Sequence, residues 1–389
     1  MAFVYLDHNA TTPVDPRVAS AMELFLTERF GNASSLHAAG RRARAAVEEA
    51  RRTILAALGD PQGQLVFTSG GTEADNLAIL GVAEVRAADG RHVVISAIEH
   101  HAALHAAQRL AQRGWSVTIV PVDSQGIIEL EALRRALIPG TTLVSIMHAN
   151  NEVGTIQPLA EIAALAHACG AWMHTDAVQS FGKIPVDVRT LGVDLLTLSA
   201  HKVYGPKGVG ALYLRRGVTV APQHVGGPHE HGLRAGTEAV APIVGLGKAV
   251  ELSVSRLAEW SSVARRRDEL VAGLQTRLAD VWVNGHLTAR VPNTANLSFI
   301  GCEGEPLLIA LDLEGLCVST GAACASGSTE PSHVLVAMRL PEAQIRGSIR
   351  CSLGLSTSAA DIAYALERIP MVVTRLRATA PKPLAAGRA

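Results

Sequence analysis

From about residue 64 the hydrophobic pattern changes period. Short apolar runs at 65–68, 92–96, 117–122, 143–148, 172–175, 195–199 and 210–214 alternate with longer segments whose apolar residues recur at helical spacing, starting at Glu73, His101, Glu129 and Leu159. Strands alternating with helices predict a mostly parallel sheet covered on both faces. Ahead of it, Asp15-Pro16 opens a helix running to about Arg29, with Asp15 as N-cap and proline at the first helical position. A second helix is predicted over 38–58. After the last strand, 240–279 reads as one long helix linking two parts of the chain. From about Val281 the pattern gives strand, helix and strand, a loop over 321–331, then further helix and strand. The expected architecture is α/β: a large domain, 16–257, with a mostly parallel seven-stranded sheet between helices, and a smaller α+β domain from 1–15 and 258–380. The Ala-, Pro- and Gly-rich end, 381–389, is expected to be a disordered tail.

In open α/β sheets, ligands bind beyond the carboxyl ends of the strands. Those ends carry Ser69-Gly70-Gly71-Thr72, Glu99-His100, Asn150-Asn151, Asp176 with Gln179, and Ser199-Ala200-His201-Lys202. Taken singly, each has an ordinary structural explanation: a glycine turn with a threonine cap, a satisfied strand-end histidine, an aspartate capping the next helix. Their convergence on one edge points to a site. The two glycines let backbone N–H groups approach an anion at a helix N-terminus. Lys202, between a buried strand and a Gly/Pro-rich turn, is poorly solvated, and a desolvated amine forms a Schiff base with an aldehyde. Asp176 suits a pyridinium nitrogen, and Gln179 is placed one helical turn further on. A phosphate turn, an amine, a carboxylate and a ring-flanking histidine fit pyridoxal 5'-phosphate better than any other cofactor.

Composition narrows the reading. The 389 residues carry no net charge, with 48% hydrophobic and 18% charged residues, which argues against nucleic acid or an anionic membrane as partner. No apolar run reaches membrane-spanning length and the start lacks a signal-peptide pattern, so a cytoplasmic location is expected. No metal is expected: His229-Glu230-His231 is too little for a site, and no Cys-x-x-Cys occurs. Of the five cysteines, Cys169, Cys302, Cys317 and Cys351 read as buried structural thiols. Cys324 differs. It sits in Ser319-Thr-Gly-Ala-Ala-Cys-Ala-Ser-Gly-Ser, small residues with no apolar anchor, where a thiol is accessible enough to react.

The chain resembles the cysteine desulfurases, in the class V branch of the aspartate-aminotransferase (fold type I) superfamily. The resemblance rests on Leu6-Asp7 with Ala10-Thr11-Thr12-Pro13, on Phe30-Gly-Asn-Ala-Ser-Ser-Leu-His37, on Thr68-Ser-Gly-Gly-Thr-Glu-Ala-Asp-Asn76 and on Asn150-Asn151-Glu152-x-Gly154. It also rests on His174-x-Asp176-Ala177-x-Gln179, Ser199-x-His201-Lys202, Arg234-x-Gly236-Thr237 and the loop from Gly321 through Cys324 to Ser332. It implies that Lys202 binds the cofactor and moves the substrate's α-proton. Asp176 and Gln179 would meet the ring, His100 would stack on it, and Gly71, Thr72, Ser199 and His201 would hold the phosphate. Thr237 would reach the cofactor of the other subunit in a homodimer. Asn151, Arg350 and Asn32 would bind substrate, with Asn151 also near the cofactor. Cys324, on a long loop at about 321–333, would take sulfur from L-cysteine as a persulfide, release alanine, and hand the sulfur to an iron–sulfur scaffold or another acceptor protein. The long loop resembles that of the nitrogen-fixation and iron–sulfur-cluster enzymes. The alternatives are a selenocysteine lyase or another enzyme of this fold, such as an aminotransferase or a kynureninase-like hydrolase, and, in a different class, a non-catalytic sulfur carrier.

Overall fold

A computed structural model describes residues 3–320 and 330–379. Cys324, most of its loop and the expected tail lie outside the described residues. In chain order the elements begin with β1 (Val4–Tyr5), α1 (Pro16–Thr27) and α2 (Ala38–Ala57). The alternating region follows as β2 (Gln64–Thr68), α3 (Gly71–Val85), β3 (His92–Ser96), α4 (His101–Gln112), β4 (Ser116–Val120), α5 (Leu130–Ala136) and β5 (Thr141–Ser145). It continues as α6 (Leu159–Ala168), β6 (Trp172–Asp176), α7 (Val188–Leu191), β7 (Leu195–Ser199) and β8 (Gly210–Leu214). Then come α8 (Val240–Ser255), α9 (Trp260–Arg277), β9 (Val281–Asn284), β10 (Thr294–Phe299), α10 (Gly304–Leu313) and β11 (Leu316–Cys317). The last described elements are α11 (His333–Ala337), α12 (Glu342–Arg346), β12 (Ser348–Ser352) and α13 (Ala359–Thr379).

The seven strands β2 to β8 form one sheet in the order β2-β8-β7-β6-β5-β3-β4. Only β8 runs antiparallel to its neighbours. Both faces are covered, so β3, β5 and β7 are buried along their whole length. One face packs under α2 and α8 through Ile54, Leu55, Ile243 and Leu246; the other packs under α3 and α4 through Leu77, Ile79, Ala106 and Leu110. A second, antiparallel sheet, β12-β10-β9, packs with α9 and α13 around Leu270, Leu297, Ile349 and Ile369. The N-terminal β1 pairs in parallel with β11, far along the chain.

Two expectations about the helices and thiols need correction. The stretch 240–279 is not one helix: α8 and α9 are separated by a short 3-10 turn at Leu257–Glu259. Ser253 and Ser255 each donate a side-chain hydrogen bond back to a carbonyl of α8's last turn, giving the backbone an alternative to continuing the ladder. Trp260 then turns inward, buried, and donates Nε1–H to the Gly182 carbonyl. Cys302 and Cys351 are buried, but Cys169 and Cys317 are only half-buried. Cys169 closes α6, where its thiol lies 3.1 Å from the Ala166 carbonyl, and Cys317 sits in the short β1–β11 pair.

Candidate active site

The site is assembled at the carboxyl ends of the parallel strands. After β2 the chain turns at Ser69-Gly70 and enters α3 at Gly71, so the helix's first N–H groups face the cavity. A Cβ on Gly71 would stand 3.0 Å from Val178 Cγ2, tighter than packing normally tolerates, which is why this floor position carries glycine. After β3, His100 caps α4: its Nδ1 accepts the Ala102 N–H at 3.2 Å, which leaves the proton of the neutral ring on Nε2. Burial, and then the charge of Lys202, lower the His100 pKa to about 4, so the ring is neutral at physiological pH.

Beyond β5, the Asn150 side chain accepts the N–H groups of Glu152 and Val153, and this turn presents Asn151 to the cavity. Beyond β6, Asp176 accepts the Val178 N–H at 2.8 Å. Burial raises its pKa, opposed by that hydrogen bond and by Lys202. No helix follows Asp176, against the helix-cap reading. Residues 177–181 form a single turn, with the Phe181 N–H bonded to the Ala177 carbonyl, and Gly182, at φ 72°, leads the chain away from helical geometry. Gln179 therefore reaches the cavity from a turn. Beyond β7, a 3-10 turn at Ala200–Lys202 carries His201 and Lys202, and the chain leaves it through Tyr204 in a left-handed conformation (φ 63°).

Of the predicted site residues within the described chain, all but Asn32 and Thr237 line one cavity. Asn32 is exposed, its side chain accepting the Ser34 N–H within its own loop. Thr237 is exposed as well, on a segment held by the Arg234–Glu73 ion pair at 2.8 Å. Arg350, buried on β12, enters from the second sheet and donates to the Asn151 carbonyl at 2.9 Å and to Asp7 Oδ1 at 2.7 Å.

Sequence reasoning missed Asn9, Ala10, Asp75, Met147 and Val178, which complete the lining. Asn9 matters most. Its carbonyl accepts Lys202 Nζ at 2.6 Å and Gln179 Nε2 at 3.0 Å, while the Ala10 carbonyl accepts Lys202 Nζ at 2.7 Å. The signal available was the position of Asn9 inside the Leu6-to-Pro13 motif, but a backbone acceptor leaves no mark in residue type. Asp75 is fully buried one turn into α3, 3.8 Å from His174, and burial raises its pKa well above the carboxylate range. Its Oδ1 has no hydrogen-bond partner among the described residues. Among the described residues no group of three or more His, Cys, Asp or Glu stands together as a metal site. Glu230, in the His-Glu-His run, is committed to Arg51 at 2.9 Å.

The sequence profile of the aminotransferase class-V family matches residues 4–364. The chain belongs to the class-V aminotransferase family. Within it, the chain is similar to the cysteine desulfurase IscS of Dictyoglomus turgidum, at 48% identity over 379 residues, covering 97% of this chain and 96% of that protein. Among solved structures it is similar to a NifS-like protein (TM-score 0.90, 38% identity, 96% of this chain and 100% of that one). It is also similar to SspA solved in complex with cysteine (TM-score 0.80, 35% identity, 90% and 98%). The cofactor of these class-V enzymes is pyridoxal 5'-phosphate, and the residues present fit it. Gly71, the hydroxyl residues Thr72 and Ser199, and His201 line the cavity together with a buried carboxylate, Asp176, and an amine, Lys202, a donor set that suits a phosphate, a pyridine nitrogen and an aldehyde.

Proposed function

We propose that this class-V enzyme is a pyridoxal-phosphate-dependent cysteine desulfurase that converts L-cysteine to L-alanine and carries the sulfur as a persulfide on Cys324. The observation that carries the reading is the convergence of Lys202, Asp176, His100 and Arg350 on one cavity, in a chain similar to cysteine desulfurases over nearly its whole length. The cysteine bound in the SspA structure supports the choice of substrate.

Bound pyridoxal phosphate supplies the electron sink. The chain's own residues do the rest. Gly71, Thr72, Ser199 and His201 would hold the phosphate near the start of α3. Asp176 would meet the ring nitrogen and Gln179 the ring oxygen. Lys202 would anchor the cofactor and take the substrate's α-proton. His100, neutral because it is buried, would lie against the ring, its Nδ1 engaged by the Ala102 N–H and its proton on Nε2. Arg350 and Asn151 take the substrate carboxylate; a buried guanidinium already fixed at two points meets that anion without further ordering. The Cys324 thiolate then attacks the substrate sulfur. An S–S bond forms, the C–S bond breaks, and its electron pair stays on the substrate carbon, which takes up a proton on the way to alanine. The sum is a sulfur transfer with no external oxidant or reductant. Asn32, away from the cavity, has no part in this reading.

Residues 16–257 serve as the large domain, with 1–15 and 258–380 as the small one carrying the Cys324 loop. Thr237, exposed on its tethered segment, serves the cofactor of a second subunit in a homodimer. The persulfide passes to an iron–sulfur scaffold or another acceptor protein in the cytoplasm, a compartment that suits unpaired thiols. The test is mass spectrometry and product analysis after incubation with L-cysteine. Wild type gains one sulfur atom on Cys324 and releases alanine. Cys324→Ala keeps the yellow cofactor but makes neither persulfide nor sulfide, and Lys202→Ala loses the borohydride-fixed cofactor. Alanine and sulfide at wild-type rates from Cys324→Ala would sink the reading.

A further inference from the structure

Lys183 is a second lysine at this site, and nothing above gives it a task. It is 3% exposed, on the turn after β6, four residues beyond Gln179. Its Nζ donates to Gln179 Oε1 at 2.7 Å and to Asn9 Oδ1 at 3.3 Å. The Gln179 amide is thereby held at both ends. The Asn9 carbonyl, which can only accept, takes Nε2–H, and the lysine, through its N–H groups, takes Oε1. One N–H of the Gln179 amide is left, and Gln179 lines the cavity. The Asn9 carbonyl that closes this ring of contacts also receives Lys202.

We propose that Lys183 is a positioning residue for the reaction: by occupying Gln179 Oε1 it locks the amide with its donor end toward the cavity, and so fixes the polarity of the contact made to the cofactor's ring oxygen. This rests on the reading of Gln179 as the ring-oxygen partner. Without Lys183 only the Asn9 carbonyl opposes a flip of the amide, and a flipped amide would turn its carbonyl oxygen toward the ring oxygen and repel it. The lysine is suited to a donor role in either protonation state, since both of its partners accept. Burial, then the charges of Lys202 and Arg350, hold its pKa well below the ordinary lysine value.

A double-mutant cycle on the holoenzyme tests this, read in two ways that a purely structural role does not move together: the dissociation constant of pyridoxal phosphate and the pH midpoint of the cofactor's visible absorption. Gln179→Leu weakens cofactor binding roughly tenfold, as loss of one hydrogen bond to a charged oxygen would, and shifts the midpoint. Lys183→Met shifts both in the same direction. In the double variant Lys183→Met adds less than about twofold, because the residue it acts through is gone. Lys183→Gln, which keeps a donor, recovers most of the wild-type values and stands in if the methionine variant fails to fold. Additive effects, or a Lys183→Met enzyme with wild-type constant and midpoint, overturn the proposal. A Gln179→Leu enzyme indistinguishable from wild type instead removes the assignment of Gln179, and the proposal with it.

Discussion

The cavity has two walls built by different means. One is the row of strand ends, where Asp176 and Ser199 close β6 and β7 and Gln179 and Lys202 bring side-chain chemistry on the short turns after them. The other is the N-terminal stretch from Asp7 to Thr12, which brings mostly backbone carbonyls and is placed by partners far away in the chain. Asn9 bonds Ser352 and Thr294 of the second sheet and Asn293 beside it, and Gln179, Lys183, Lys202 and Asn151 on the turns beyond strands of the first. Thr12 exchanges hydrogen bonds with His201 and Tyr204. The strand-end wall is local and chemical; the N-terminal wall is long-range and mechanical. A site of this kind is as rigid as the joint between them.

Asn9→Ala breaks that joint most severely. Four hydrogen bonds to the side chain disappear, from Lys183 and Asn293 and to Asn151 and Thr294, three of them buried and the one to Asn151 partly so. At about 1 kcal/mol net for each, and with partners left unpaired, a loss of roughly 3–4 kcal/mol in denaturant unfolding is expected, together with a large fall in cofactor affinity. A loss under about 1 kcal/mol would mean that the N-terminal wall is held by its backbone alone.

Asp7→Ala is a finer probe of the same wall. Asp7 holds one end of the Arg350 guanidinium while the Asn151 carbonyl holds the other. Freed from Asp7, Arg350 still reaches the substrate carboxylate but must be ordered by it. KM for L-cysteine should rise about tenfold with kcat within about twofold, the pattern of lost uniform binding. A kcat that falls while KM holds would place Asp7 in the chemistry.

The contrast also explains what the sequence could disclose. The sheet was legible because short continuous apolar runs alternate with segments of period 3.6, and the strand ends because Asp176, His100 and Lys202 are chemically loud in a quiet apolar setting. The N-terminal wall was not, since what Asn9 and Ala10 offer the lysine is a carbonyl that every residue possesses. Lys183 was hidden for a related reason: in Phe181-Gly-Lys-Ile184 it looks like a surface lysine, and its burial follows only from the turn after Asp176, which was expected to be helical. The break at Leu257–Glu259 turned on serine side chains bonding backward, a choice that composition leaves open.

Not every polar strand end serves the chemistry, and Glu99 separates the two kinds. It is 1% exposed at the end of β3, where Oε1 accepts the Ser96 hydroxyl at 2.5 Å and the Met147 N–H at 2.9 Å, and it does not line the cavity. Burial pushes its pKa up to about 8 against those two hydrogen bonds. In the unfolded chain the same carboxyl loses its proton near 4.5. Between these values the folded state holds a proton that the unfolded state has released, so stability falls as pH rises through the window and is unaffected below it. Glu99→Gln removes the linkage at little structural cost. Oε2 has no hydrogen-bond partner among the described residues, so the amide nitrogen takes that place and the carbonyl keeps Ser96 and Met147. The melting temperature of Glu99→Gln relative to wild type should therefore be flat below about pH 4.5 and climb by a few degrees toward pH 8, with KM and kcat changed less than by any substitution above. A difference independent of pH would show that Glu99 is ionised inside the fold, and would move it from the structural strand ends to the electrostatic ones that face Lys202.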